Sequence, residues 1–319
     1  ESIRKLEIVA ITLDPSPAVG DNPQLVFESL NSTGVELENT DKIRNFILLE
    51  MGAEDQRRCY QEYWQPIEKM VTRKHMDDFI RYYLAVLLKK VITKSKVYSS
   101  FKYLIHAGNS ISVSSFSPRE VLKNMKEFAE YYHEIQSPTN SPFKKCFKHL
   151  MMLQVNTSIP FLMVLLQRVK HNKITKEKAQ KILEIVESYV VRRTICGLPT
   201  NALNKVFPAI AAAWDRNAEK YNGDYYKAFC KQILNFSGKT RFPTNEDLER
   251  AFTYYDLYNA TPAVKKYILE RLENWNESEQ RDNKELIDVF DLVDEGVLTI
   301  EHIMPQTLSD EWKQELGVN

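Results

Sequence analysis

Near the end of the chain, Glu301 and His302 stand side by side within Thr299-Ile300-Glu301-His302-Ile303-Met304-Pro305-Gln306. Apolar and β-branched neighbours make this run read as an extended strand that Pro305 stops. A carboxylate placed there can hold a divalent cation, and the adjacent imidazole can take a proton from water. Phosphodiester hydrolysis needs both acts, because the attacking oxygen sheds a proton while charge builds on the phosphate. An isolated Glu-His pair is more often chance than a site, so its context decides the reading. No histidine follows His302 before Asn319, so the pair is expected to be the first half of a site whose return strand and helix are not in this chain.

Other residues that could touch a phosphate are basic. Lys144, Lys145, Lys148 and His149 form one local cluster, and Lys170, His171 and Lys173 form another. Such runs are usually solvated faces; the alternative is weak, salt-dependent contact with DNA. Arg192 and Arg193 fall in the last turn of a helix that Gly197 ends, with Pro199 beyond, where cations complement the helix dipole without any ligand. Guanidinium forks also bind phosphate bidentately, which is the second reading. His75, His106 and His133 have no partner at ligand spacing and read as structural or surface residues. Asn31-Ser32-Thr33-Gly34 is a tight turn whose backbone amides can cradle an anion.

The elements carrying these residues are mostly helical. Nine glycines in 319 residues are few, and Leu, Lys, Glu and Tyr are abundant, which favours helices over a turn-rich β architecture. Lys+Arg and Asp+Glu both number 43, so any basic surface must be local. The four cysteines (Cys59, Cys146, Cys196, Cys230) show no metal or disulfide spacing and fit a reducing cytoplasm. The longest apolar run, near Ile159–Leu166, is too short to span a membrane, and no signal peptide is evident. A start without Met, on a strand-like sequence, suggests a piece of something longer.

Leu6–Leu13 reads as a strand ended by Asp14-Pro15-Ser16-Pro17, and Thr40 reads as the N-cap of a helix over Asp41–Glu50. Ser117-Pro118-Arg119-Glu120 sets an N-cap, a first-turn proline and a capping-box glutamate ahead of the stripe Val121, Met125, Phe128, Ala129, Tyr132. A second stripe is Ala179, Ile182, Leu183, Val186, Val190, and Thr261-Pro262 opens a third with Val264, Ile268, Leu272, Trp275. Further helices are expected near 54–71, 75–91, 143–153, 158–171, 200–219, 224–236 and 245–258. The doublets Tyr82-Tyr83, Tyr131-Tyr132, Tyr225-Tyr226 and Tyr254-Tyr255 should each place one ring in the core and one near a rim, since adjacent helix residues point about 100° apart. Asp291–Gly296 reads as a turn and Val297–Met304 as a strand. The expected fold is mainly α: an irregular multi-helix bundle, a small α/β remnant at the N-terminus and a short β stub at the C-terminus.

Phe27–Gly34 with Asp41–Leu48, Glu187–Arg193 with Cys196–Asn201, Tyr267–Glu273 and Glu301–Gln306 together resemble GmrSD-type modification-dependent restriction endonucleases. Phe27–Gly34 followed by Asp41–Leu48 is similar to the close of their ParB-like N-terminal domain, and Glu187–Arg193 running into Cys196–Asn201 to their central helical region. Tyr267–Glu273 looks like the helix closing that region, and Glu301–Gln306 like the start of a C-terminal His-Asn-His nuclease domain. The resemblance implies a domain end over 1–50, a helical middle over 51–290 and a truncated nuclease start over 291–319. It implies Glu301 as metal ligand and His302 as catalytic base, with Mg²⁺ or Mn²⁺ as the metal of the complete nuclease. Asn31 and Gly34 would line a nucleotide pocket, and modified phage DNA would be the parent's substrate. The Asp-Gly-Gln-Gln-Arg-like motif of the N-terminal domain and the downstream Asn/His half of the nuclease are absent. The chain is therefore expected to be an inactive scaffold or coupling fragment of a cytoplasmic antiviral enzyme, the alternative being a helical protein-interaction module.

Overall fold

The computed structural model describes residues 26, 37–49, 51–106, 117–280, 289–300 and 307–317. Within them the chain is a many-helix bundle, and no strand occurs among the described residues. The strand expected over Leu6–Leu13 and residues 301–304 of the β stub lie outside them. The first helices are α1 (Asn39–Leu49), α2 (Ala53–Cys59), α3 (Gln65–Val71), α4 (Arg73–Leu87) and α5 (Val97–His106). A π-helical stretch, Tyr60–Trp64, joins α2 to α3. Then come α6 (Pro118–Gln136), α7 (Lys144–Met152), α8 (Ile159–Lys170), α9 (Lys176–Ile195), α10 (Leu203–Glu219) and α11 (Tyr225–Leu234). The last are α12 (Asn245–Thr253), α13 (Pro262–Gln280), α14 (Val289–Asp294) and α15 (Asp310–Leu316).

Local chemistry sets several boundaries. Ser117 caps α6 through a complete capping box with Glu120, whose carboxylate takes the Ser117 backbone N–H at 2.7 Å. Gly197, with φ 62°, ends α9; the Leu198 N–H then reaches the Arg193 carbonyl at 2.9 Å, closing a Schellman motif. Thr40 behaves differently from expectation. The helix starts two residues earlier, at Asn39, and Thr40 sits in its first turn, giving its backbone N–H and its hydroxyl to Asp77 Oδ1 of α4 at 2.9 and 2.6 Å.

Both sequence stripes on α6 and α9 face the core, every residue of each being buried. Around them, α6 packs on α3, α4, α7 and α8, and α9 on α7, α8, α11 and α12. Phe161 of α8 anchors the centre, its ring 5.1 Å from Trp214 and 5.5 Å from Phe229. The Trp214 indole donates to the Tyr225 carbonyl at 2.9 Å, so its one polar atom is satisfied. A satellite apolar seam of Ile195, Tyr267 and Ile268 joins the end of α9 to α12 and α13.

Three expectations change. Tyr82 and Tyr83 are both buried, as are Tyr131 and Tyr132, because α4 and α6 are surrounded by neighbours and bury an arc wider than one stripe. On α13, Leu272 is 49% exposed, while Tyr267, Ile268 and Glu270 turn inward. Asp291 opens no turn: it lies inside α14, which ends through Glu295 and Gly296, the latter at φ 75°. Helix α5, absent from the expected segments, packs against α1 and α4.

Candidate functional site

Of the residues singled out for chemistry, Glu301, His302, Asn31 and Gly34 lie outside the described residues. The described candidates converge on α7. Its short sequence places Lys144, Lys145, Lys148 and His149 in two successive turns, and each meets a carboxylate from another helix. Lys144 Nζ lies 2.9 Å from Asp291 Oδ2, and Lys148 Nζ lies 3.2 Å from Asp291 Oδ1. Lys145 Nζ lies 3.7 Å from Glu270 Oε1.

His149 is the centre of this arrangement and only 1% exposed. Its Nδ1 lies 2.9 Å from Glu187 Oε1 on α9, and its Nε2 lies 3.0 Å from Glu270 Oε2 on α13. The Tyr267 hydroxyl donates to Glu187 Oε1 at 2.7 Å, and its ring stands edge-on to the imidazole at 5.1 Å. Asn274 donates its amide to Glu270 Oε1 and accepts the Val289 backbone N–H at 3.3 Å, carrying the network into α14. Buried carboxylates are costly unless charge and hydrogen bonds compensate them. Here the imidazolium of His149 and the Lys145 ammonium offset Glu187 and Glu270.

The protonation states follow. Burial alone would lower the His149 pKa, but hydrogen bonds to Glu187 and Glu270 and their charges outweigh it and hold it above its ordinary value. Burial would raise the Glu187 carboxyl, yet His149, Tyr267 and Arg271 together hold it below the usual carboxylate range. The Tyr267 hydroxyl is held protonated by burial and by Glu187. Burial pushes the neighbouring Cys146 thiol up to about 12, so it stays a thiol.

These groups floor a cleft of about 390 Å³ that also includes Gln180, Ser188, Arg192 and Arg271. Both imidazole nitrogens face carboxylates, so the ring's donors are engaged in joining helices. Among the described residues, no group of three or more His, Cys, Asp or Glu side chains is arranged to hold a metal ion.

Arg192 and Arg193 part company. Arg192 is half-buried at the cleft rim and donates to Asn245 Oδ1 at 2.8 Å and to the Pro243 carbonyl at 3.3 Å. Arg193 is 2% exposed, and its guanidinium donates to the Lys239 carbonyl at 2.8 Å and the Pro199 carbonyl at 2.9 Å. In the second basic cluster, Lys170 pairs with Glu130 at 3.0 Å and His171 with Glu127 at 3.1 Å.

Sequence reasoning set His149 among surface cations and missed its role. The available signal was Glu187, an acid at core-facing spacing between Leu183 and Val190 on the apolar stripe of α9. A buried acid calls for a cation from another element.

No described helix is long and apolar enough to cross a membrane. No curated protein and no solved structure matches the chain significantly. One family does match: residues 242–317, which run from just before α12 through α15, fit the family described as GmrSD restriction endonucleases, C-terminal domain. Over that segment the chain is similar to this family.

Proposed function

We propose that this chain is the coupling scaffold of a modification-dependent DNA restriction endonuclease acting in antiviral defence, without nuclease activity as it stands. The carrying observation is the His149 junction. It ties α7 and α9 of the helical body to α13, which lies inside the matched segment. A buried, charge-balanced joint transmits position well, because breaking either half leaves an uncompensated ion. In this reading the middle region, 51–290, holds the start of the nuclease region, 291–319, in register with a nucleotide-sensing domain whose closing residues are 1–50.

DNA contact falls to Lys144, Lys145 and Lys148 on α7 and to Arg192 at the cleft rim. Arg193 serves by ordering the loop around Lys239. Glu301 and His302 keep their proposed roles as metal ligand and catalytic base, and Asn31 and Gly34 theirs at the nucleotide site. A divalent metal would supply charge stabilisation at the phosphate in the complete nuclease.

Two measurements test this reading. Duplex DNA should bind at low salt and release as salt rises; no binding at low salt would count against it. Incubation of DNA with Mg²⁺ or Mn²⁺ should give no cleavage. If cleavage appears and His302→Ala cleaves equally well, His302 has no part in the mechanism.

The second reading, a protein-interaction module, is favoured by one feature. An apolar groove of about 620 Å³ runs between α13 and α14, lined by Leu269, Val289, Val293, Leu298 and Ile300. Loss of DNA binding in every condition would favour that reading.

A further inference from the structure

Helix α14 is held to the body by a closed circuit of polar contacts. From α7, His149 and Lys145 reach Glu270; Glu270 takes the Asn274 amide; Asn274 accepts the Val289 N–H at the start of α14. Two residues on, Asp291 returns to α7 through Lys144 at 2.9 Å and Lys148 at 3.2 Å. Val289 is buried beside this circuit, whereas Asp291, Lys144 and Lys148 remain partly open to solvent. One half of the joint is therefore sealed and permanent, and the other half is accessible to exchange.

We infer that Asp291 is an electrostatic latch: it occupies the same two ammonium groups that the phosphodiester backbone of duplex DNA would take, so DNA binding and the anchoring of α14 compete. The chemistry of the two partners is alike. A carboxylate bridging two lysines presents two oxygens to two ammonium groups, and a backbone phosphate presents the same. The phosphate brings a polyanion's counterion release, which a single surface carboxylate lacks. Displacing Asp291 lets α14 shift while Asn274 and Val289 hold its start, and Glu301 and His302 follow α14 in the sequence. Occupancy of α7 by DNA would thus be felt at the segment proposed to carry the chemistry.

The inference rests on the DNA-contact reading, and its test separates the two. Fluorescence anisotropy with a labelled duplex would compare the full chain with Asp291→Asn. Glu295→Gln, which removes the same charge four residues along, is the control. Asp291→Asn should tighten binding about 5- to 10-fold with the salt slope unchanged, because DNA meets the same two ammonium groups in both proteins and only the displacement of the carboxylate is removed. Glu295→Gln should leave the affinity unchanged, and adding Lys144→Gln/Lys148→Gln to Asp291→Asn should abolish the gain. An equal gain in Glu295→Gln, or a gain that survives loss of both lysines, overturns the latch.

Hydrogen exchange supplies the readout that needs no DNA. Asp291→Asn should speed exchange of the α14 amides and leave α9 unchanged; unchanged α14 exchange overturns the latch directly. Faster α14 exchange with no DNA binding in any variant would keep the anchoring role of Asp291, remove its competition with DNA, and sink the DNA-contact reading.

Discussion

His149 Nε2 and Glu270 Oε2 meet at 3.0 Å across 121 residues of sequence, and neither side chain is more than 1% exposed. Their contact joins the helical body to the segment that matches the restriction-endonuclease family. Replacing Glu270 by Ala strips one side of His149 and removes an acceptor from Asn274 and Lys145. Removal of one member of a buried pair costs about 3–5 kcal/mol, to be read from urea unfolding. The double variant His149→Ala/Glu270→Ala should cost less than the sum of the singles, because the two act as one unit. Additive losses would mean that the pair is not coupled.

The same cluster sets a pH window. The His149 pKa is raised from 6.5, so its contribution is full below 6.5 and is lost as pH rises through the higher folded value. The Glu187 pKa is lowered from 4.5, so its contribution is full above 4.5 and is lost as pH falls through the lower folded value. Both contributions are complete only between about pH 4.5 and 6.5. Thermal unfolding across pH should show His149→Gln flattening the alkaline fall and Glu187→Gln flattening the acid one. A wild-type alkaline limb unchanged by His149→Gln would remove the imidazolium from the account.

Arg193 and its sequence neighbour should separate sharply. Arg193→Ala removes a buried guanidinium that binds the Lys239 and Pro199 carbonyls and empties the space of a long side chain. At about 1.5–3 kcal/mol for each hydrogen bond to a charged group, it should cost about 3 kcal/mol or more, and Arg193→Lys should restore only part. Arg192→Ala, at a half-open rim, should cost about 1 kcal/mol or less. Comparable losses at the two positions would contradict the burial difference.

Thr72 joins α3 to α4 with φ 62° and ψ 147°, a backbone region that β-branched residues rarely adopt. The strain is on the order of 1–3 kcal/mol, whereas glycine costs roughly 0.5–1 kcal/mol in chain entropy. Thr72→Gly should therefore stabilise the protein by about 1 kcal/mol. A fall in unfolding midpoint would show that Thr72 has compensating contacts.

What could be read from the residues was what local chemistry and periodicity control. Ser117 and Glu120 announced the start of α6, Gly197 the end of α9, and the two stripes named core residues that are all buried. Long-range partnership left no local mark. Lys144, Lys148 and His149 look like one solvated run, because their carboxylates lie more than thirty residues away, on α9, α13 and α14. The pairs Tyr82-Tyr83 and Tyr131-Tyr132 departed from expectation for a related reason: how many neighbours surround a helix is a property of the assembled bundle. The doublet at Tyr82 and Tyr83 is buried on both rings because α4 is packed by α1, α3, α5, α6, α8 and α10.

The indole of Trp214, wedged against Phe161 with no exposed area, has a practical consequence. Together with Trp64, equally sealed, it should fluoresce at the blue end of the tryptophan range and resist iodide. Trp312 on α15 is 37% open and should emit further to the red and quench readily. With Trp312→Phe as reference, one spectrum can report loosening of the C-terminal helix separately from melting of the interior, with no dye attached.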